Sequence, residues 1–168
     1  MYLTRKPIQF VDVITPHPNP RPVQGRGEGE GYKAGASVLF LGVVRDHSEG
    51  RKVLFLEYEA YEEMAERMIG ELTGKAAEKW PLEQVKVLHR LGRVGLGEIA
   101  VAIEVQSAHR DEAYQASRFL IDEIKHRVPV WKKEHFTDGT SGWSQCDVIA
   151  SEAKQSRGIQ NAQLSTSA

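Results

Sequence analysis

The sequence predicts an α+β fold with a mainly antiparallel sheet and two main helices. Three observations carry that expectation. The elements run strand, strand, helix, strand, strand, helix, strand, and neither helix sits inside a repeating β-α-β unit of the kind that builds a doubly wound sheet. Residues 99–106 alternate cleanly, with Ile99, Val101, Ile103 and Val105 on one side and Ala100, Ala102, Glu104 and Gln106 on the other, the pattern of a half-buried strand. Two segments of about eighteen residues carry apolar side chains at helical spacing.

The elements follow in order. Ile8–Ile14 (IQFVDVI) has the composition of a short strand. Thr15–Gly31 holds four of the seven prolines and several glycines, which no regular element tolerates, so it is expected as a loop or disordered insertion. Residues 1–33 thus form an N-terminal strand plus insertion, 34–146 the main domain, and 147–168 a small, polar, aperiodic tail. Ala36–Val44 (ASVLFLGVV) is nearly all apolar and reads as a strand buried on both faces. Arg45–Lys52 is a polar loop, and Val53–Glu59 is a second strand expected to form a hairpin with the first. In Tyr61–Trp80, a stripe of Tyr61, Met64, Ala65, Met68, Leu72, Ala76 and Trp80 predicts a helix closed by Pro81. Glu63 with Arg67 and Glu71 with Lys75 are i,i+4 pairs on its wet side. Gln84–Leu91 and Glu98–Gln106 are strands joined by the turn GRVGLG. Arg110–Arg127 is a helix with Ala113, Ala116, Phe119, Leu120 and Ile124 inward, ended by Val128 before Pro129, and PVWKKEHF continues as an extended segment.

Bulk properties narrow the function classes. The 168 residues suit one domain, and 40% hydrophobic residues suffice for a core. A net charge of −1 argues against a nucleic-acid binder. The single cysteine, Cys146, excludes an internal disulfide framework and fits a reducing compartment. With no apolar run near the length of a membrane span and no apolar core in MYLTRKPIQF, the expectation is a cytoplasmic protein that engages no membrane.

The densest chemical cluster is His109, Arg110, Lys125, His126, Arg127, Lys132 and Lys133. His109 and Arg110 stand where strand gives way to helix, and a helix N-terminus with its free N–H groups attracts anions. Lys125, His126 and Arg127 in the last turn need no function, because cations there offset the helix dipole. Spacing alone leaves that reading and an anion pocket about equally open. Pro129-Val130-Trp131 favours the pocket: a rigid, Trp-backed exit would hold Lys132 near a wall, where a partly desolvated lysine beside other cations becomes a usable nucleophile or base. Arg45, at the end of an apolar strand, either reaches solvent or forks a phosphate or carboxylate. His89, in phase with Val85 and Val87, reads as a core histidine.

Other chemistries are poorly served. GELTGKAA is one residue short of a phosphate loop and lies within a helix. The histidines lack metal-ligand spacing, one cysteine cannot build a zinc site, and GRVGLGE joins two strands rather than a strand to a helix.

Four segments, GASVLFLGVVRDHSEG, LEYEAYEEMAE, WPLEQVKVLHRLGRVGLGE and SAHRDEAYQASRFLIDEIKHRVPVWKKE, resemble the large, catalytic subunit of molybdopterin synthase, from about Gly35 to Trp143 and in that family's order. SAHR together with VPVWKKE is the specific part. The resemblance implies an α/β-hammerhead-like fold and a sulfurtransferase that converts cyclic pyranopterin monophosphate to molybdopterin. Its two dithiolene sulfurs come from the C-terminal Gly-Gly thiocarboxylate of a small ubiquitin-like subunit. It implies a homodimer within a heterotetramer, and a sulfur transfer that uses no metal or other cofactor. By position it makes Lys125 and Lys132 catalytic. It makes Arg45, His109, Arg110, Phe40 and Ile121 substrate-binding, with His109 and Arg110 reaching across the dimer. The insertion at Thr15–Gly31 and the ending after Asp147 depart from the family pattern. Two other functions fit the same cations: a non-catalytic scaffold for a Gly-Gly tail, and a binder of phosphorylated metabolites.

Overall fold

The computed structural model describes residues 1–13 and 33–144. The insertion Thr15–Gly31, Cys146 and the tail after Asp147 lie outside the described residues. The described strands are β1 (Leu3–Thr4), β2 (Ala36–Val43), β3 (His47–Ser48), β4 (Arg51–Ala60), β5 (Leu82–Arg90), β6 (Gly92–Gly95), β7 (Ile99–Ser107), β8 (Val130–Phe136) and β9 (Ser141–Ser144). The helices are α1 (Phe10–Val13), α2 (Glu62–Lys79) and α3 (Arg110–Arg127). The α+β class holds: among the described strand pairs only β1 with β5 is parallel.

One sheet has the order β1-β5-β7-β2, and the other runs β3-β4-β8-β9, with β6 also paired to β4. Helices α2 and α3 pack on each other and on the first sheet. Between them lies the main core, in which Ile69, Leu72, Ile103, Val105 and Leu120 are buried. Each such side chain contributes about 1.5–3 kcal/mol by leaving water. On the sheet's other face, Ile8 and Val13 pack with Ala102 and the partly buried Leu39, Leu41 and Leu88. A smaller cluster of Val44, Val53, Leu56, Val94, Ala100 and Phe136 ties the second sheet to the first.

Several expectations change, each for a local reason. The strand expected over Ile8–Ile14 is the short helix α1: the Asp12 carboxylate accepts from the Gln9 N–H at 2.9 Å, and the Asp12 N–H donates to the Gln9 carbonyl at 3.0 Å. Those local bonds outcompete a ladder. The N-terminal strand is instead β1, whose Leu3 and Thr4 pair with His89 and Arg90.

The hairpin expected between Ala36–Val44 and Val53–Glu59 does not form. β2 pairs with β7, and β4 pairs with β3, β6 and β8. Glu49 and Gly50, with φ of 48° and 78°, make a tight turn that folds β4 back on β3, and that ladder stops at Asp46, because Val44 already bonds Gly97 and Glu98. The two burial expectations for strands also exchange places. β7 is buried on both faces because it sits between β5 and β2 and is covered on both sides. β2 stands at the end of the sheet order, and Val43 keeps 52% of its surface exposed. Glu104, in β7, is only 2% exposed, with its carboxylate accepting from Ser37 Oγ at 3.2 Å and Gln106 Nε2 at 2.9 Å.

In α2 the buried face is Ala65, Ile69, Leu72 and Ala76, while Tyr61 and Met64 of the expected stripe are exposed. Arg67 pairs with Glu71 rather than Glu63. The linker GRVGLG is more than a turn, since Gly92–Gly95 forms β6 on β4. α3 matches its expected bounds, and the chain leaves it through Val128, whose N–H reaches the Ile124 carbonyl before Pro129. No described helix is long and apolar enough to cross a membrane.

Candidate functional site

α3 follows β7 after a two-residue link and folds back over β7 and β2. Its C-terminal turn therefore lies over the end of the sheet where β7 begins. A cavity opens there, lined by Tyr58, His89, Val101, Ile121, Ile124, Lys125 and Val130. Tyr58 comes from β4, His89 from β5, Val101 from β7, and Val130 from β8, so both sheets and α3 build it.

The sequence-predicted residues divide around this cavity. Lys125 lines it from the exposed last turn of α3, and Ile121 lines it one turn earlier. The neighbouring cations are committed locally: His126 Nδ1 bonds the Asp122 carbonyl at 2.6 Å, and Arg127 pairs with Glu123 at 3.0 Å. Phe40 packs from β2 against the same core as Ile121, beside the cavity rather than in its lining. Lys132 lies two residues beyond Val130 on the same side of β8, opposite Tyr58. Its ammonium is 2.8 Å from a Glu134 carboxylate oxygen, with the lysine side chain 25% exposed and the glutamate buried. Arg45 is exposed just past the end of β2, where Val43 pairs with Ile99, so it lies at the Lys125 end of the sheet.

His109 and Arg110 lie elsewhere. His109 is the extended cap residue of α3 and Arg110 its first helical residue, both exposed. From Arg110 to Lys125 the helix rises about 22 Å, so within one chain these two residues and Lys125 cannot meet on one small ligand.

The role expected of Trp131 needs correction. It faces the opposite side of β8 from Lys132 and is 40% exposed. The wall beside Lys132 is Tyr58 and Glu134. Lys133 also faces away, with its ammonium 5.6 Å from the Trp143 ring centroid. Of the seven clustered cations, Lys125 alone lines the cavity, and Lys132 stands on β8 beside its lining residues Tyr58 and Val130.

His89 is buried, as its phase with Val85 and Val87 suggested. Burial depresses its pKa to about 4, against a raising influence from its bond to the Arg90 carbonyl. It stands edge-on to Tyr58, with ring centroids 5.2 Å apart. Its neighbour Arg90 is held by Glu98 at 2.9 Å and by the Arg93 carbonyl. Sequence reasoning missed Tyr58, Glu134 and the cavity-facing side of His89. The alternation Val130, Lys132, Glu134 in the extended segment was the available signal for Glu134. Tyr58 and His89 required knowing which sheet β4 joins. Among the described residues, no group of three His, Cys, Asp or Glu side chains could hold a metal ion.

Comparison with known proteins fits this arrangement. A family model described as "MoaE protein" matches residues 22–127. The molybdopterin synthase catalytic subunit of Thermoplasma volcanium is 48% identical over 110 residues, covering 66% of this chain and 80% of that one. The crystal structure of molybdopterin synthase from Staphylococcus aureus superposes with a TM-score of 0.70 at 35% identity, covering 85% of this chain and 95% of that one. A Helicobacter pylori structure, a protein–protein complex of subunits 1 and 2 of molybdopterin-converting factor, shares the fold at 22% identity and a TM-score of 0.58, over 69% of this chain and 75% of that one. With a family match over most of its length and a shared fold, the chain belongs to the MoaE protein family, that of the catalytic subunit of molybdopterin synthase.

Proposed function

We propose that this chain is the sulfur-transferring subunit that converts cyclic pyranopterin monophosphate to molybdopterin in molybdenum cofactor biosynthesis, with Lys125 and Lys132 as its catalytic residues. The observation that carries the reading is a cavity lined by Lys125 from α3 and by Tyr58 and His89, with Lys132 on β8 directly opposite Tyr58. Both reactants are anions: the substrate bears a cyclic phosphate and the donor a thiocarboxylate. A cavity lined by one lysine with a second on the adjoining strand suits that pair.

In this reading a small ubiquitin-like subunit inserts its Gly-Gly thiocarboxylate toward Lys125. Lys125 activates the attack of sulfur on the pterin or briefly holds the donor carbonyl. Lys132, braced by Glu134, and Arg45 anchor the phosphate. Each donor tail gives up one sulfur, its C–S bond exchanged for a C–O bond with water, and leaves as a carboxylate, so two tails serve one dithiolene. The reaction calls for no metal or other cofactor. His109 and Arg110 serve the pocket of a second copy in a homodimer, flanked by two small subunits. Their distance from Lys125 within one chain, about 22 Å along the helix, supports that assignment. The setting is cytoplasmic.

The test mixes the protein with a thiocarboxylated small subunit and cyclic pyranopterin monophosphate and follows dithiolene product. The wild type forms product. Lys125→Ala still assembles with the small subunit and forms none. Near-normal turnover in that variant sinks the role of Lys125. Partner binding without product in the wild type favours a scaffold, and neither binding nor product favours a metabolite binder.

A further inference from the structure

We propose that His89 is a specificity-determining residue of the Lys125 cavity, an uncharged hydrogen-bond acceptor that takes an N–H or O–H donor of the bound substrate. The inference rests on the reading above of what fills the cavity.

The backbone of His89 is fixed from both sides. Its N–H donates to the Tyr2 carbonyl at 2.7 Å, and its Cα registers with Leu3 in β1 and Val101 in β7. The ring is fixed too. Nδ1 lies 3.0 Å from the Arg90 carbonyl oxygen. A carbonyl only accepts, so Nδ1 carries the proton. A neutral imidazole protonated at Nδ1 has its lone pair on Nε2, at the far side of the ring. Burial keeps the ring neutral at working pH, so His89 adds no positive charge beside Lys125.

The surroundings give that lone pair its value. Val101, Ile121, Ile124 and Val130 present only hydrocarbon to the cavity. Among the described residues no side chain is seen donating to Nε2. In a wall whose other polar side chains are Tyr58 and Lys125, an imidazole acceptor discriminates between ligands with and without a matching donor. A ligand with a matching donor satisfies it, whereas one without leaves both the acceptor and its own desolvated face uncompensated. The cavity holds about 50 Å³, so what enters it is a small N–H- or O–H-bearing edge of the substrate, with the anionic group left outside near Lys125. The amide or amine edge of a reduced pterin carries such a donor.

Two amide substitutions separate this role from a structural one. In His89→Gln the amide reaches the position of Nε2 and its oxygen replaces the acceptor, while the bond to Arg90 is lost. In His89→Asn the amide reaches the position of Nδ1 and keeps the bond to Arg90, while the acceptor is lost. Binding of cyclic pyranopterin monophosphate to the assembled complex is measured by titration. His89→Gln is expected within about threefold of the wild-type Kd and His89→Asn about tenfold weaker. The reverse order, or equal binding in both, overturns the proposal. Should either variant unfold, the wild-type chain with 15N-labelled histidine gives the answer directly. Saturating substrate moves the His89 Nε2 resonance and leaves Nδ1 in place, and an unmoved Nε2 overturns the proposal. Lys125→Ala serves as the control. Turnover surviving in that variant removes the site assignment itself, whereas an inactive Lys125→Ala with unaltered binding in His89→Asn removes the acceptor role alone.

Discussion

Replacing Glu134 with glutamine removes one negative charge while keeping the side chain's size. Lys132 then faces a neutral amide 2.8 Å away, in a site where the lysine is 25% exposed and the glutamate buried. Fully exposed pairs are worth about 0–1 kcal/mol, and breaking a fully buried pair costs about 3–5 kcal/mol. A pair with one buried and one quarter-exposed partner falls between, at about 1–3 kcal/mol. For a domain of this size that lowers Tm by about 3–5 °C per kcal/mol. The same change frees Lys132 from its anchor, so kcat/KM for dithiolene formation falls by at least about tenfold. A double-mutant cycle of Glu134→Gln and Lys132→Met isolates the pair from the rest of β8. A coupling energy of about 1–3 kcal/mol is expected. Coupling below about 0.3 kcal/mol, with turnover intact in Glu134→Gln, would refute the argument that the glutamate positions the lysine.

Two further perturbations probe the same cavity. His89 has a folded-state pKa near 4, below its unfolded value of 6.5. The unfolded chain therefore binds more protons between those values, so the stability contributed by the neutral ring is complete above pH 6.5 and is lost as pH falls toward 4. Up to about 3 kcal/mol is involved, and Tm measured across that window should fall less steeply in His89→Phe than in the wild type. A Cβ added at Gly42 meets Val101 Cγ1 at 2.6 Å, and Val101 lines the cavity. Gly42→Ala should cost about 1–3 kcal/mol by overpacking and raise KM more than it lowers kcat; an unchanged KM separates that methyl contact from the pocket.

Much of the fold was legible because its signals are local. The bounds of α3 follow from an apolar face of Ala113, Ala116, Leu120 and Ile124 and from Val128-Pro129, all within one segment. What sequence periodicity missed is the division into two sheets. That division depends on the parting of the chain after β2, where Val44 bonds Gly97 and Glu98 while Asp46 already bonds Val53, a long-range outcome that alternation along either strand does not encode. The exchanged burial of β2 and β7 has the same origin: strand order decides which strand is central, and both sequences are apolar enough for either place. The site shows the same limit. Lys125 and Lys132 stood out as charges beside a helix end and a proline. Tyr58, His89 and Glu134 did not, since an aromatic in a strand, a core histidine and a strand glutamate gain meaning only from what faces them.

The length of α3 also has a consequence for genetics. One rod carries Arg110 at one end and Lys125 at the other. If the first completes a neighbouring copy's pocket, a chain bearing Arg110→Ala and a chain bearing Lys125→Ala are each inactive alone and rescue one another when mixed. Their heterodimer holds one pocket damaged twice and one fully intact. Random pairing of equal amounts then restores about a quarter of wild-type sites. Inactive alleles would thus sort into two complementing groups, divided by which end of a single helix they alter.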